Sequence, residues 1–432
     1  MKVLSRLQGL LARGHEFFIV AANKLVSTIL SFLLIKFIIL ALDSPETYGL
    51  YVYYYSLASW LVALTYSPAN VPLAKLSSSR QNNFRGVVYI VKLLGATAIP
   101  VAGIGFAIST VALLNHPSTP AEYFSVLIFL IPFTAVSIGT ASLIETYVLG
   151  QRNRIISLVL TNTILLARIA GIGLLVLLGF QSIQLSLLSI ALTSFAISAL
   201  YTLYLTSSFF AEPKSTEAIT FDSLLSQYKL NWFFSVLSNS MLYIDKILLG
   251  YYLPIETIGV LALYQLVARG AANLTIGSVY QYVIPIYLGK KSENSGNSFK
   301  KHIKILSICI VIFMIPVALF GPLISPIGHY LSNGLIQLHY IEFILVCLAV
   351  CLSQSAKIIE LEYFRCDAIK KLYAPLLVST LLFLVLVIFV APVYGLFGAI
   401  CVLVVTAFTR VVLTLVGVRG LNKTNDGSSL TT

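Results

Sequence analysis

Long apolar runs follow one another along the whole chain, and the basic residues fall only on alternate turns between them. A bilayer core takes about 20 apolar residues per helix. Divided at that length, the chain holds twelve spans, at roughly 15–41, 46–67, 86–114, 122–149, 155–179, 183–208, 229–253, 257–287, 302–325, 338–364, 373–392 and 396–418. Counted from the N-terminus, the seven inner segments hold twenty lysines and arginines, and the six outer loops hold none. Lys and Arg are retained on the cytoplasmic side. Both termini are therefore expected in the cytoplasm. A missed or extra span would have mixed the two sets.

Composition excludes the soluble alternatives. The chain is 58% hydrophobic and 10% charged, with a mean hydropathy of +0.93, where soluble domains carry about 25% charged residues. Twenty of the 28 basic residues behind the net charge of +12 sit in the inner segments. They face membrane lipid and give no reason to expect nucleic acid. The five cysteines form no C-x-x-C pair, so neither a disulfide framework nor a zinc site is expected. Lys2, Arg6 and Arg13 oppose a leucine face over residues 1–14, which predicts a short helix on the membrane surface ahead of the first span. Pro100, Pro132, Pro285 and Pro316 fall inside spans, where helices packed against protein tolerate kinks.

The chain also repeats itself. At an offset of 210, Lys246 falls on Lys36, Glu256 and Thr257 on Glu46 and Thr47, Gly259 on Gly49, and Tyr264 on Tyr54. One structural unit used twice is expected. Residues 209–228 form the longest inner polar connection between repeats. They divide the chain into halves, 1–208 and 229–432. Six spans per half put both halves in the same orientation, a parallel repeat about the membrane normal. The expected fold is an all-α membrane protein of two pseudo-symmetric six-helix bundles.

Several short motifs carry a family resemblance. Asp245-Lys246-Ile247-Leu248-Leu249-Gly250, followed by Glu256 and Gly259, resembles the seventh-to-eighth helix signature of Wzx-type polysaccharide and O-antigen flippases. Pro45-Glu46-Thr47-Tyr48-Gly49-Leu50-Tyr51 resembles the matching turn of the first half. Gly150-Gln151-Arg152 and Tyr394-Gly395-Leu396-Phe397-Gly398-Ala399 are similar to further family features. The chain departs from the pattern at Asp43-Ser44, where Leu-Gly-Pro-Glu is common, and at Cys366-Asp367, where Gly-x-Arg is common. The resemblance implies two helix bundles around a central cavity, working by alternating access. It implies a polyprenyl-pyrophosphate-linked oligosaccharide as substrate, for O-antigen or another surface polysaccharide, in a bacterial inner membrane. It also implies a polysaccharide polymerase and a chain-length regulator as partners. A cation-coupled multidrug antiporter and a lipid II flippase, both of the same superfamily, are the alternatives.

Eight basic residues lie inside spans: Lys24, Lys36, Lys92, Arg168, Lys246, Arg269, Lys357 and Arg410. Near a helix end, snorkelling to the headgroups or a local ion pair explains such residues. Arg168 and Arg269 are at least eleven residues from either end, or about 16 Å at the helical rise. That exceeds half a hydrocarbon core of about 30 Å, so they are expected to face protein or water. Gln265, Arg269, Asn273, Gly277 and Gln281 recur every four residues, which is one helix face. Lys24 marks a polar face on the first span, and Asn231, Ser235, Ser238 and Asp245 mark one on the seventh. Arg168, Arg269, Lys24, Lys36 and Lys246 are the candidate cavity cations. Gln265, Asn273, Gln281, Asn231 and Ser235 are the candidate polar lining, with Asp245 a candidate for ion coupling or a structural pair with Lys246.

Glu145 and Glu360 are expected to tie inner loops together, and Tyr51, Tyr53, Tyr54, Tyr55, Tyr251 and Tyr252 to form an interfacial belt. Sugar stacking is the other reading for rings that face inward. No phosphate loop and no His-Glu-x-x-His occur, so no ATP site, metal or other cofactor is expected. A membrane polymerase or ligase needs a sizeable outer loop with catalytic groups. The longest here, near 326–337, carries His329 without an acidic partner.

Overall fold

The computed structural model describes residues 2–78, 83–115, 121–150, 154–207, 221–278, 298–365 and 368–427. These are almost wholly helical. In order, the helices are α1 Lys2–Leu42, α2 Pro45–Thr65, α3 Asn70–Ser78, α4 Asn83–Asn115, α5 Ala121–Gly150, α6 Arg154–Leu177 and α7 Ile183–Ser207. Then come α8 Phe221–Tyr252, α9 Ile255–Ala272, α10 Ser298–Phe320, α11 Ile324–Leu331, α12 Tyr340–Arg365 and α13 Tyr373–Gly427. Each expected span coincides with helix over nearly all of its described residues, with one or two non-helical residues at the ends of some.

Eight described helical segments are long and apolar enough to cross a membrane. One of them, Ile369–Val418, runs for 50 residues, or about 75 Å at the helical rise, more than twice a bilayer core. Its break is Gly395, at φ 60° and ψ −143°, a conformation that only glycine adopts readily. The chain returns after it. The Tyr363 hydroxyl donates to Thr414 O at 2.7 Å, and Leu372 and Val418 share one buried cluster. Helix α13 thus contains two crossings. Helices α2 and α8 are crossings of a different composition. Helix α2 is rich in tyrosine and largely buried, and α8 carries Asn231, Ser235, Asp245 and Lys246 inside protein. Neither needs a lipid-soluble surface all round.

Three expected boundaries move. Helix α1 runs unbroken from Lys2 to Leu42, with its apolar span at Phe18–Leu42, so residues 2–14 extend the helix of the first span and are not a separate helix. Helix α8 begins at Phe221, so the end of the 209–228 connection is helical, and α11 runs to Leu331, so the first half of the outer loop expected near 326–337 is helical too.

Local chemistry fixes the turn into α2. Asp43 takes a left-handed φ of 57°, which Asp tolerates better than most residues. Ser44 is the N-cap, accepting from Thr47 N at 3.1 Å, and Pro45 follows at the first helical position. Such a cap contributes about 1 kcal/mol. The Asp43-Ser44 departure from the family pattern therefore builds a sound turn by another route.

In the first half, α5 packs on α7 and α1 on α6; in the second, α12 packs on α13. Helix α2 bridges the halves by packing on α8 and α9. Where α2 crosses α9, Gly49 meets Gly259, its own counterpart in the repeat. A Cβ on Gly49 would run into the Ile255 carbonyl, and one on Gly259 would lie 2.9 Å from the Tyr48 ring. Only hydrogen at both positions permits this approach. At the opposite end of α2, Tyr228 donates to Thr65 O at 2.7 Å and Trp232 to Leu64 O at 2.9 Å. These bonds occupy carbonyls that a helix C-terminus leaves unpaired.

Candidate functional site: a cationic cavity between the halves

A cavity of 540 Å³ lies where α1, α2, α5 and α6 face α8 and α9. Its size is within the range of about 300–1,000 Å³ usual for ligand sites. Helix α1 contributes Lys24, Ser27, Thr28 and Ser31, a single face at helical spacing. Helix α6 contributes Arg168 and Thr161, and α9 contributes Gln265, Arg269 and Asn273. Helix α8 adds Tyr243 and Lys246, and α5 adds Glu145.

The cations differ in how the protein satisfies them. Lys246 donates from Nζ to Asp245 Oδ1 at 3.1 Å and to Gln265 Oε1 at 2.5 Å. Asp245 is 1% exposed. It also accepts from Lys246 N at 2.8 Å and from Gln265 Nε2 at 2.6 Å. This closed network neutralises Lys246 and orients Gln265. Arg269 Nη2 donates to Gln265 Oε1 at 3.0 Å and to Leu242 O at 3.3 Å. Arg168 Nε donates to Ser194 Oγ at 2.9 Å. Among the described residues, no carboxylate lies within ion-pair distance of Arg168 or Arg269. Lys24 has Glu145 within electrostatic reach. Four cations thus face one carboxylate in the wall and one behind it, and the two guanidinium groups carry the excess.

The sequence candidates divide accordingly. Lys24, Arg168, Lys246, Arg269, Gln265 and Asn273 meet in the wall, with Asp245 directly behind. Lys36 is elsewhere, its Nζ 3.3 Å from the ring centroid of Tyr330 on α11. Asn231 and Ser235 are buried within the second half, bonded to Gln227 O and Asn239. The same α8 face presents Ser238 to Arg410. Gln281 lies outside the described residues. Glu145 does not tie loops together: it lines the cavity and accepts from Thr161 at 2.8 Å. Glu360 pairs with Arg410 of α13 at 2.6 Å, inside the second half.

The tyrosines of α2 depart from the expected interfacial belt. Tyr48, Tyr51 and Tyr55 line the cavity, and Tyr48, Tyr51, Tyr53 and Tyr54 are buried. They are therefore not a lipid-facing belt. Their spacing of three and four is the signal that marks one face. Tyr251 and Tyr252 are exposed, as a belt requires.

No family model matches the chain, and no curated protein sequence matches it. Solved structures do. A lipid II flippase MurJ in an inward closed conformation is 15% identical, with a TM-score of 0.64 over 93% of this chain and 87% of that one. The MATE multidrug transporter DinF-BH in complex with R6G is 15% identical, with a TM-score of 0.65 over 94% of each chain. An outward-facing MATE family transporter of the MOP superfamily is 11% identical, with a TM-score of 0.65 over 95% and 96%. The chain shares their fold, two lobes of six membrane helices around a central cavity.

Proposed function

We propose that the chain is a flippase that carries a polyprenyl-pyrophosphate-linked oligosaccharide from the cytoplasmic to the outer leaflet of a bacterial inner membrane, for O-antigen or another surface polysaccharide. The halves 1–208 and 229–432, joined through 209–228, rock about the cavity and open it to each side in turn. The observation that carries this reading is one guanidinium from each half, Arg168 and Arg269, facing one cavity without a carboxylate partner.

The physical argument follows the charge. A pyrophosphate must leave the headgroup layer during flipping, and moving such an anion unaided into an apolar medium is very unfavourable. Guanidinium groups offset this through charge-assisted, often bidentate hydrogen bonds. Their remaining N–H groups are available for that purpose. Lys24 and Lys246 add to the local field, while Gln265 and Asn273 offer neutral polar contacts. A cationic drug would meet the same excess of positive charge, which disfavours the multidrug-antiporter reading. A lipid II flippase would suit this cavity equally on charge alone. An enzyme would need an acidic partner for His329, which lies on α11, and among the described residues none is within ion-pair distance of it. A polymerase and a chain-length regulator are the partners that this substrate would require downstream.

The experiment compares Arg→Gln with Arg→Lys at each position, at matched membrane expression, in cells whose surface polysaccharide is measured. Arg168→Gln and Arg269→Gln are each expected to lower export about 10- to 100-fold, the scale of one lost hydrogen-bonding partner to a charged group. The Lys variants recover part of it, since Lys keeps the charge but not the fork. Full export by both Gln variants would remove the charge requirement and the reading with it.

A further inference from the structure

One wall of the cavity is aromatic. Tyr48, Tyr51 and Tyr55 share a face of α2, with ring centroids 6.5 Å and 5.8 Å apart and each pair of planes 18° from parallel. Tyr48 and Tyr51 are 1% and 3% exposed. Among the described residues, none of the three hydroxyls has a hydrogen-bond partner, yet none is sealed off in the protein. Packing alone would be served as well by Phe, since a hydroxyl without a protein partner adds nothing to it. Tyr55, at the end of the stack and the only one of the three that is not buried, offers a ring face to the cavity, while Tyr48 and Tyr51 contribute their hydroxyl edges.

We infer that Tyr48, Tyr51 and Tyr55 form a saccharide subsite. The Tyr55 ring meets the apolar C–H face of a pyranose, and the phenol hydroxyls of all three meet its hydroxyl groups. This rests on the reading of Arg168 and Arg269 as ligands of the pyrophosphate. Tyr51 is within electrostatic reach of Arg168, and Tyr243 is within reach of both Arg269 and Tyr55. Aromatic and cationic walls are therefore contiguous, as a sugar joined directly to a pyrophosphate requires. From Tyr48 to Tyr55 the stripe is about 10 Å long at the helical rise, enough for the first one or two sugars. A flat aromatic cation would also stack on these rings, but it would bring positive charge to the two uncompensated guanidinium groups.

The test uses the full chain in detergent and three probes: geranyl pyrophosphate, its N-acetylglucosamine ester, and rhodamine 6G. Calorimetry should show the sugar ester binding about 5- to 50-fold tighter than the sugar-free probe, the span of a few aromatic contacts. Tyr51→Leu and Tyr55→Leu should erase that ratio while leaving the sugar-free affinity within about twofold. Tyr51→Phe and Tyr55→Phe should keep part of it. Equal affinity for both pyrophosphates in the unmodified protein overturns the subsite and leaves the arginine reading standing. Ester binding that survives Arg168→Gln and Arg269→Gln but falls with Tyr→Leu supports the subsite and overturns the arginine reading. Rhodamine 6G binding tighter than both, and lost in the Tyr→Leu variants, overturns the saccharide assignment in favour of an aromatic cation.

Discussion

Arg410 and the pair Arg168 and Arg269 are the same side chain in two kinds of place. Arg410 is 4% exposed in the second half. Its Nε and Nη2 reach Glu360 Oε1 at 2.9 Å and 2.6 Å, and Nη2 also reaches Ser238 Oγ at 2.6 Å. The protein supplies its counter-charge. Arg168 has a serine hydroxyl, and Arg269 has an amide oxygen and a backbone carbonyl. All of their partners are neutral. Where the cation serves the fold, a carboxylate comes with it. Where it faces the cavity, only neutral partners come with it among the described residues, and the proposed substrate would supply the charge.

That contrast predicts opposite failures, and the largest effect lies on the structural side. Glu360→Ala leaves Arg410 buried and unpaired, a change that costs about 3–5 kcal/mol. Protein should disappear from the membrane, or its thermal unfolding in detergent should fall sharply. Replacing both partners, Arg410→Met with Glu360→Leu, should recover most of that stability, because an apolar pair of similar volume is often neutral or better. Arg168→Gln and Arg269→Gln should leave unfolding within about 1 kcal/mol of the parent while export falls. A stability loss at Arg168 or Arg269 as large as that of Glu360→Ala would erase the contrast and make all three structural.

The next effect is mechanical. Gly49→Ala sets a methyl against the backbone at Ile255, whereas Gly259→Ala sets one against the Tyr48 side chain. Backbone cannot rotate away and a ring can. Overpacking costs about 1–3 kcal/mol, with Gly49→Ala at the upper end and Gly259→Ala near the lower. Cross-linking of cysteines introduced on α2 and α9 near this crossing should drop further in Gly49→Ala than in Gly259→Ala. Equal loss would mean that the two halves separate here as rigid bodies in either variant.

How much of this was legible depends on what each residue type can report. Twelve spans could be drawn because loop charge counts crossings even where apolarity is weak, as in α2 and α8. The surface helix at 1–14 did not materialise, because an amphipathic face does not say where a helix ends. Arg168, Arg269, Gln265 and Asn273 could be placed in one wall from depth and a four-residue period. Asn231 and Ser235 satisfied the same kind of pattern and lie elsewhere. A polar stripe shows only that a face avoids lipid, and packing against another helix avoids it equally well. Tyrosine is ambiguous in the same way, since its ring suits both a headgroup belt and a cavity wall.

The smallest effect tests the repeat itself. Lys36 and Lys246 occupy equivalent positions 210 residues apart. Beside Lys246 stand Asp245 and Gln265, which hold its ammonium in the cavity wall. At the same offset the first half has Ile35 and Tyr55, which offer Lys36 no carboxylate or amide. Lys36 reaches instead to Tyr330 on α11, joining the two halves by a cation–π contact. Such a contact contributes about 0.5–2 kcal/mol. Lys36→Met should therefore lower unfolding by about 1 kcal/mol, and Lys36→Arg should retain most of the contact. Lys246→Met strips Asp245 of its counterion inside the protein and should cost more, toward the 3–5 kcal/mol of a broken buried pair. Thermal unfolding of the three variants ranks them directly. If Lys36→Met proved as severe as Lys246→Met, the two lysines would be equivalent in energy as well as in sequence. The asymmetry between the halves would then have to be sought in Arg168 and Arg269 alone.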